Sequence, residues 1–202
     1  MNDEQLCLQD PRLERILVSR DEIRVRVRAL AAEIAGRRGG ETLHLVGVLK
    51  GACLFLADLA RELTLAGCAD VRFDFVRAST YGDAVKENGE VLRPVHVEGP
   101  WGKMAGKSVL LVDDILDQGF TLAALRRHFL SHLGASRVET CVFLEKELSH
   151  PSPEVLALRA SFQADYVGVR IPDRWVVGYG LDVAELYRCL PFVAIVREDC
   201  FR

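Results

Sequence analysis

The sequence has no apolar run approaching the roughly 18 residues of a membrane span. Its opening stretch, MNDEQLCLQDPRLER, lacks the basic-then-apolar pattern of a secretory signal. A cytoplasmic location without membrane contact is the expectation. There is no CxxC pair. The six cysteines, Cys7, Cys53, Cys68, Cys141, Cys189 and Cys200, are scattered, and several lie in apolar runs where cysteine behaves as a small hydrophobe. Buried or incidental thiols are expected, not a disulfide framework or a zinc site. Neither charge dominates: 26 Lys and Arg against 29 Asp and Glu leave a net −3. Bulk electrostatics therefore supply no pull towards nucleic acid or an anionic membrane, and a polyanion would have to be held locally. Internal repeats and low-complexity tracts are also lacking.

What is present is an ordinary globular mixture, 50% apolar and 27% charged over 202 residues. That length suits one domain, or one with a small appendage, burying roughly 70% of its unfolded surface. Ser19 to Arg38 reads as a helix, because Ser19 and Glu22 make a capping box and Ile23, Val27, Leu30 and Ile34 recur at helical spacing. Leu43 to Leu49 reads as a strand, Leu56, Leu59, Ala60 and Leu63 as a helix face, and Val71, Phe73 and Phe75 as a second strand. Lys107 to Val112 is another strand, followed by a glycine turn at Gly119 and a helix burying Leu122, Leu125, Phe129 and Leu133. Val138 to Leu144 is the next. Continuous apolar strands alternating with amphipathic helices predict an α/β fold with a central, mostly parallel sheet covered on both faces. Asp165 to Ile171, Val176 to Tyr179 and Phe192 to Val196 fit the sheet edge and a small cap. Residues 77–106 break the rhythm, with five interrupting residues (Gly82, Gly89, Gly99, Pro100 and Gly102) and a short strand at Pro94 to Val97. A connection this long suits a lid or binding loop.

The chemistry concentrates in VLLVDDILDQGFTLAAL, where an apolar strand runs into Asp113, Asp114 and Asp117, then Gln118, Gly119, Phe120 and Thr121 at a helix start. Ligands of open α/β sheets bind at the carboxyl ends of strands. A glycine turn feeding amides into a helix N-terminus suits a phosphate. The carboxylates would repel that phosphate directly. They make sense holding ribose hydroxyls, a divalent cation or a proton. Solvated loop acids are the commoner reading of a single Asp, and three in five residues weaken it. A phospho-receiver domain also ends a strand in an Asp pair, but it begins with that strand, which here follows more than a hundred residues.

This segment resembles the phosphoribosyl pyrophosphate (PRPP) motif of type I phosphoribosyltransferases. Leu49-Lys50-Gly51 is similar to that family's pyrophosphate loop, and Arg77 to Gly82 (RASTYG) to the lid signature of its hypoxanthine-guanine branch. Asp165 to Leu190 (DYVGVRIPDRWVVGYGLDVAELYRCL) resembles the branch's purine-binding hood. The resemblance runs from about Leu13 to Val196. It implies a single type I phosphoribosyltransferase domain, with a core of residues 40–165, a lid of 77–106 and a hood from the N-terminal segment and 166–202.

The implied reaction joins hypoxanthine or guanine to the ribose of PRPP, giving IMP or GMP and pyrophosphate. By resemblance Asp117 is the general base for the purine N7 proton. Asp113 and Asp114 hold the ribose hydroxyls and, with Asp182, contact magnesium (Mg2+), the expected cofactor. Asp117, Gln118, Gly119, Phe120 and Thr121 wrap the 5′-phosphate. Lys50 and Gly51 form the pyrophosphate loop, which in this family can adopt a non-proline cis peptide, and Arg188 clamps the pyrophosphate. Lys146 donates to the purine 6-oxo group, Trp175 stacks on the ring, Val176 reads the base through its backbone, and the Asp182 carbonyl accepts the guanine 2-amino group. Ser79, Thr80 and Tyr81 belong to the lid. Two departures from the family pattern stand out: Gln118 replaces a usual Thr, and Asp113 replaces an often seen Glu. The expected partners are PRPP and 6-oxopurine bases, with no nucleic acid, in a homodimer or homotetramer. Competing readings are a nucleic-acid-binding regulator of this fold that senses PRPP, a xanthine-preferring transferase, and a weak homologue serving as an oligomer partner. A regulator needs a basic face, yet the charge balance is slightly acidic, and a solvated surface explains Arg24, Arg26, Arg28, Arg37 and Arg38 on one helix.

Overall fold

The alternation of strands and helices read from the sequence organises the computed structural model of the chain. It describes residues 2–38, 40–80, 85–87, 90–92, 95–98, 104–197 and 199; at 79, 80, 85–87, 90–92, 95, 96 and 98 it describes the backbone. In chain order the elements are α1 (Asp3–Leu8), β1 (Leu13–Val18), α2 (Arg20–Arg38), β2 (Leu43–Leu49), α3 (Cys53–Leu65), β3 (Val71–Thr80), β4 (Val85–Glu87), β5 (Glu90–Leu92), β6 (Val95–Glu98), β7 (Ser108–Leu116), α4 (Phe120–Ser131), β8 (Arg137–Glu147), α5 (Pro153–Ser161), β9 (Tyr166–Pro172), β10 (Val176–Val177) and β11 (Val193–Val196).

Six strands form the large sheet in the order β6-β3-β2-β7-β8-β9. The five from β3 to β9 run parallel, and β6 is antiparallel on β3. Successive residues of a strand face opposite sides, and here both sides are buried. Leu110 and Val112 of β7 join the core under α2 and α3, while Val109 and Leu111 join the core under α4 and α5. That two-sided burial is why these strands read as unbroken apolar runs. A second sheet, β1-β11-β10, is antiparallel and packs Leu13, Val177, Phe192 and Val196 into a small separate core. β4 and β5 pair antiparallel within the segment expected to be the lid.

The capping box forms as expected: the Ser19 amide donates to Glu22 Oε2 at 2.8 Å and the Glu22 amide to Ser19 Oγ at 3.3 Å. Two strands outrun their expected limits. β7 continues to Leu116 because its ladder with β8 persists through the pair Leu116–Glu145, and β8 continues to Glu147 because its ladder with β9 persists through Glu147–Pro172. Asp113, Asp114 and Lys146 are therefore strand residues. Residues 166–172 are the edge strand of the large sheet, and α2 packs on the large sheet's core while α1 and β1 go with the small sheet. The sequence reading did not include α1, β1 and α5. α1 is six residues long, β1 buries only its two ends, and α5 is a nine-residue helix burying just Val155 and Leu158. Cys7, Cys53, Cys68, Cys141 and Cys189 are free thiols. Among the described residues no helix is long and apolar enough to cross a membrane.

Candidate active site

The carboxyl ends of β2, β7 and β8 bring the expected residues to one edge of the sheet, where the hood meets it. At the end of β2 the Leu49–Lys50 peptide is cis, and Gly51 follows. A Cβ on Gly51 would sit 1.6 Å from Asp114 Oδ2, and a Cβ on Gly180 would sit 1.9 Å from the Gly51 carbonyl oxygen. Both positions therefore need glycine for space, and Gly180 needs it also for its φ of +104°. Gly51 is thus packed between the Asp114 carboxylate on one side and the backbone of Gly180 on the other.

In β7, Asp113 is buried and Asp114 partly so. Burial pushes both carboxyls above the ordinary carboxylate range; for Asp113 the neighbouring Asp114 charge adds to it, whereas Arg188 pulls Asp114 back down. Beyond the strand, Asp117 to Leu122, with Asp113, line a pocket of about 210 Å³. Gly119, at φ +98°, is the N-cap of α4, and a helix N-terminus is a place where backbone amides suit an anion. Gln118 is exposed and Thr121 partly buried beside it. The Asp117 carbonyl accepts from Arg159 Nη1 at 3.1 Å, and Arg159 Nη2 pairs with Glu145 at 2.7 Å. α5 thereby pins the loop to β8.

Lys146, near the end of β8, has its side chain 12% exposed and places Nζ 3.0 Å from Asp117 Oδ2 and 3.9 Å from Asp173 Oδ1. Two residues past Asp173, Trp175 is 61% exposed. Its carbonyl accepts from the Val196 amide at 2.9 Å, and Val176, paired with Ile195, is buried.

The hood turn carries the remaining charges. Asp182 Oδ1 pairs with Arg188 Nη2 at 2.7 Å, and Asp182 Oδ2 accepts from the Glu185 amide at 2.8 Å. Arg188 Nη1 donates to the Gly180 carbonyl at 2.8 Å. Lys50 Nζ reaches Glu185 Oε2 at 2.8 Å. Four non-glycine residues here, Tyr179, Ala184, Glu185 and Tyr187, have positive φ, a conformation costing of order 1–3 kcal/mol each that clusters at functional sites. Tyr179 holds the turn down: its hydroxyl donates to Asp58 Oδ2 of α3 at 2.9 Å, and its ring meets Phe143 edge-on at 5.0 Å.

Two groups result. Lys50, Gly51, Asp114, Gly180, Asp182 and Arg188 form one, and Asp117 with Lys146 form the other beside the pocket of 117–121. Ser79 and Thr80 end β3, and Tyr81 lies outside the described residues. Asp113, Asp114 and Asp182, expected together at the metal, do not make an all-protein cage: among the described residues no three His, Cys, Asp or Glu converge on a cation position. Magnesium is usually held by one or two carboxylates plus substrate oxygens. Asp114, pressed against Gly51, and Asp182 supply hard oxygens of that kind, so the residues fit. The sequence reading missed Glu185, Arg159, Asp173 and the Tyr179–Asp58 contact. Glu185 carried a signal, a lone acid between Asp182 and Arg188; Arg159 carried none, because α5 was unread.

The fold and these two groups define a phosphoribosyl transferase domain, and the model of that family matches residues 19–183. The chain is 34% identical over 189 residues to the hypoxanthine-guanine phosphoribosyltransferase of Bacillus subtilis, covering 94% of this chain and 96% of that one. It is 36% identical over 187 residues to that of Aquifex aeolicus, covering 91% and 95%. Among solved structures, a hypoxanthine phosphoribosyltransferase from Trypanosoma cruzi in a ternary substrates complex superposes with a TM-score of 0.78 at 31% identity, over 96% of this chain and all of that one. The chain belongs to the hypoxanthine-guanine phosphoribosyltransferase family.

Proposed function

We propose that the protein is a purine salvage transferase that moves the phosphoribosyl group of PRPP onto hypoxanthine or guanine, releasing pyrophosphate. The observation that carries this is the pairing of Asp117 with Lys146 at 3.0 Å on the rim of the 117–121 pocket. It sets a proton acceptor and a cation beside a cradle suited to a phosphate. In the reaction the bond from the ribose anomeric carbon to pyrophosphate oxygen breaks, a bond to the purine nitrogen forms, and Asp117 takes the N7 proton. Such a base is worth on the order of a hundred- to ten-thousand-fold. Lys146 turns from Asp117 to the 6-oxo group, which discriminates against adenine because an amine there would leave the lysine unpaired. Trp175, exposed on the hood, stacks on the base at roughly 1–3 kcal/mol, and the Val176 backbone reads its edge.

Asp114 and Asp182 are the residues we assign to magnesium, which when bound neutralises diphosphate charge. Lys50 and Arg188 bind the diphosphate, and Asp113 helps to place the ribose. The lid of residues 77–106 excludes water. We expect a homodimer or homotetramer, to be read by sedimentation, in the cytoplasm, where free thiols such as the five seen here persist.

The candidate basic face of a nucleic-acid regulator is spoken for internally. Arg24 pairs with Asp21, Arg28 with Glu62 and Arg37 with Glu33, Arg26 donates to the Gly168 carbonyl, and Arg38 is buried against Glu139. The deciding experiment incubates a purine panel with magnesium and PRPP. IMP and GMP are expected. No product with any base would favour the regulator or inert-homologue reading, and Asp117→Asn should lower turnover at least about tenfold with the fold intact.

A further inference from the structure

We propose that Glu185 is a built-in competitor for pyrophosphate, a carboxylate that bridges the two cations of the diphosphate site and so sets how weakly that site holds its anion. This rests on the reading of Lys50 and Arg188 as the diphosphate clamp. Each oxygen of Glu185 serves one of them: Oε2 lies 2.8 Å from Lys50 Nζ and Oε1 lies 3.4 Å from Arg188 Nη2. One side chain thus spans the pair of positive groups, as two phosphate oxygens would.

Glu185 is not needed to hold Arg188. Arg188 is already fixed by Asp182 at 2.7 Å and by the Gly180 carbonyl at 2.8 Å. Lys50 and Glu185 have side chains 54% and 64% exposed, and ion pairs that open to water add little to stability. The backbone at Glu185 is nonetheless held in an uncommon conformation, φ +65°, with its amide on Asp182 Oδ2 at 2.8 Å. That anchor keeps the base of the side chain beside the clamp while leaving its carboxylate able to swing into solvent. A diphosphate carries more charge and displaces it, but must replace both contacts and then sit near an unpaired carboxylate. Affinity is lowered on entry and release is helped on departure. The carboxylate on the rim of the 117–121 pocket, Asp117, pairs with Lys146 at 3.0 Å, so a change at Glu185 acts at the diphosphate end.

The test titrates inorganic pyrophosphate with magnesium into the full chain by calorimetry, comparing the parent with Glu185→Gln, which is isosteric, and Glu185→Asp, which keeps the charge on a shorter arm. Glu185→Gln should bind pyrophosphate about two- to tenfold more tightly, with the gain shrinking as salt is raised. Glu185→Asp should lie between parent and Gln. Binding of a purine nucleoside 5′-monophosphate should stay within about twofold of parent in both variants. Unchanged or weaker pyrophosphate binding by Glu185→Gln overturns the inference, as does equal tightening of the monophosphate or no pyrophosphate binding by any of the three. Because this readout needs no turnover, the two readings fail separately. Nucleotide formation with no change at Glu185→Gln sinks the competitor alone, whereas tighter pyrophosphate binding without nucleotide formation sinks the transferase.

Discussion

Replacing Gly180 with Ala separates the two halves of the proposed site. A Cβ there would lie 1.9 Å from the Gly51 carbonyl oxygen, 3.0 Å from its carbon and 3.6 Å from its Cα. All three are backbone atoms, so no rotamer change relieves the clash, and the loop or the hood must give by more than about 1 Å to restore an ordinary contact near 3.4 Å. Alanine at φ +104° adds strain of about 1–3 kcal/mol. For a chain of this size that alone lowers the melting temperature by roughly 3–10 °C. The displaced groups are specific. Asp114 lies against Gly51, and Gly180 exchanges two hydrogen bonds with Arg188, at 2.9 Å from its amide and 2.8 Å to its carbonyl. Misplacement of about 1 Å can cost on the order of a hundredfold, so kcat/KM for PRPP should fall about that far. KM for the purine should move less than about threefold, because Lys146 and Asp117 are set by the β7–β8 ladder. Steady-state kinetics with each substrate varied, beside thermal melts, read both. Parent-like kcat/KM for PRPP in a folded Gly180→Ala protein would refute the assignment of the Gly51–Gly180 contact to the diphosphate end.

Three further outcomes are expected. Burial, with Asp114 beside it, raises the Asp113 carboxyl well above its ordinary value, so the folded chain binds more protons than the unfolded one and stability falls as pH rises from about 4 through the raised value. Asp113→Asn should therefore melt higher than the parent at about pH 8 and converge with it near pH 4; a gain undiminished in acid would contradict the burial argument. Lys146→Ala should relax or abolish the preference for 6-oxopurines, and unchanged rejection of adenine in competition assays would remove the residue from that role. Tyr179→Phe deletes the hydroxyl that donates to Asp58 at 2.9 Å and should cost about 1–2 kcal/mol in denaturant unfolding. A cost near zero would show that ring packing on Phe143 alone holds the turn.

What could be read in advance follows the range of the interactions. The Ser19 capping box, the apolar runs of β2, β7 and β8 and the glycine turn before α4 are local patterns, and each formed where its residues called for it. Strand length is not local. Whether β7 stops at Val112 or runs to Leu116 depends on how far β8 accompanies it, so the placement of Asp113 and Asp114 inside a strand came only with the sheet. The same holds for Glu185, which gains its meaning from Lys50, 135 residues earlier in the chain. Gly51 and Gly180 look like ordinary turn glycines until their backbones are seen to touch. Arg159 could not be anticipated at all, since α5 has a weak apolar face and the two groups it holds, the Asp117 carbonyl and the Glu145 carboxylate, lie on other elements.

The β7–β8 ladder makes the protein unequally tolerant of changes in chain length. Asp117 and Lys146 each stand one residue beyond the ladder pair Leu116–Glu145. One residue inserted within either strand would slide its far end by about 3.3 Å and turn the side chain to the opposite face, parting acid from lysine with every core residue still present. At the other end of the sheet, the turn between α3 and β3 belongs to neither β7 nor β8, and Gly67 within it has open space around its missing Cβ. New termini for a circular permutant, or an inserted tag, belong there.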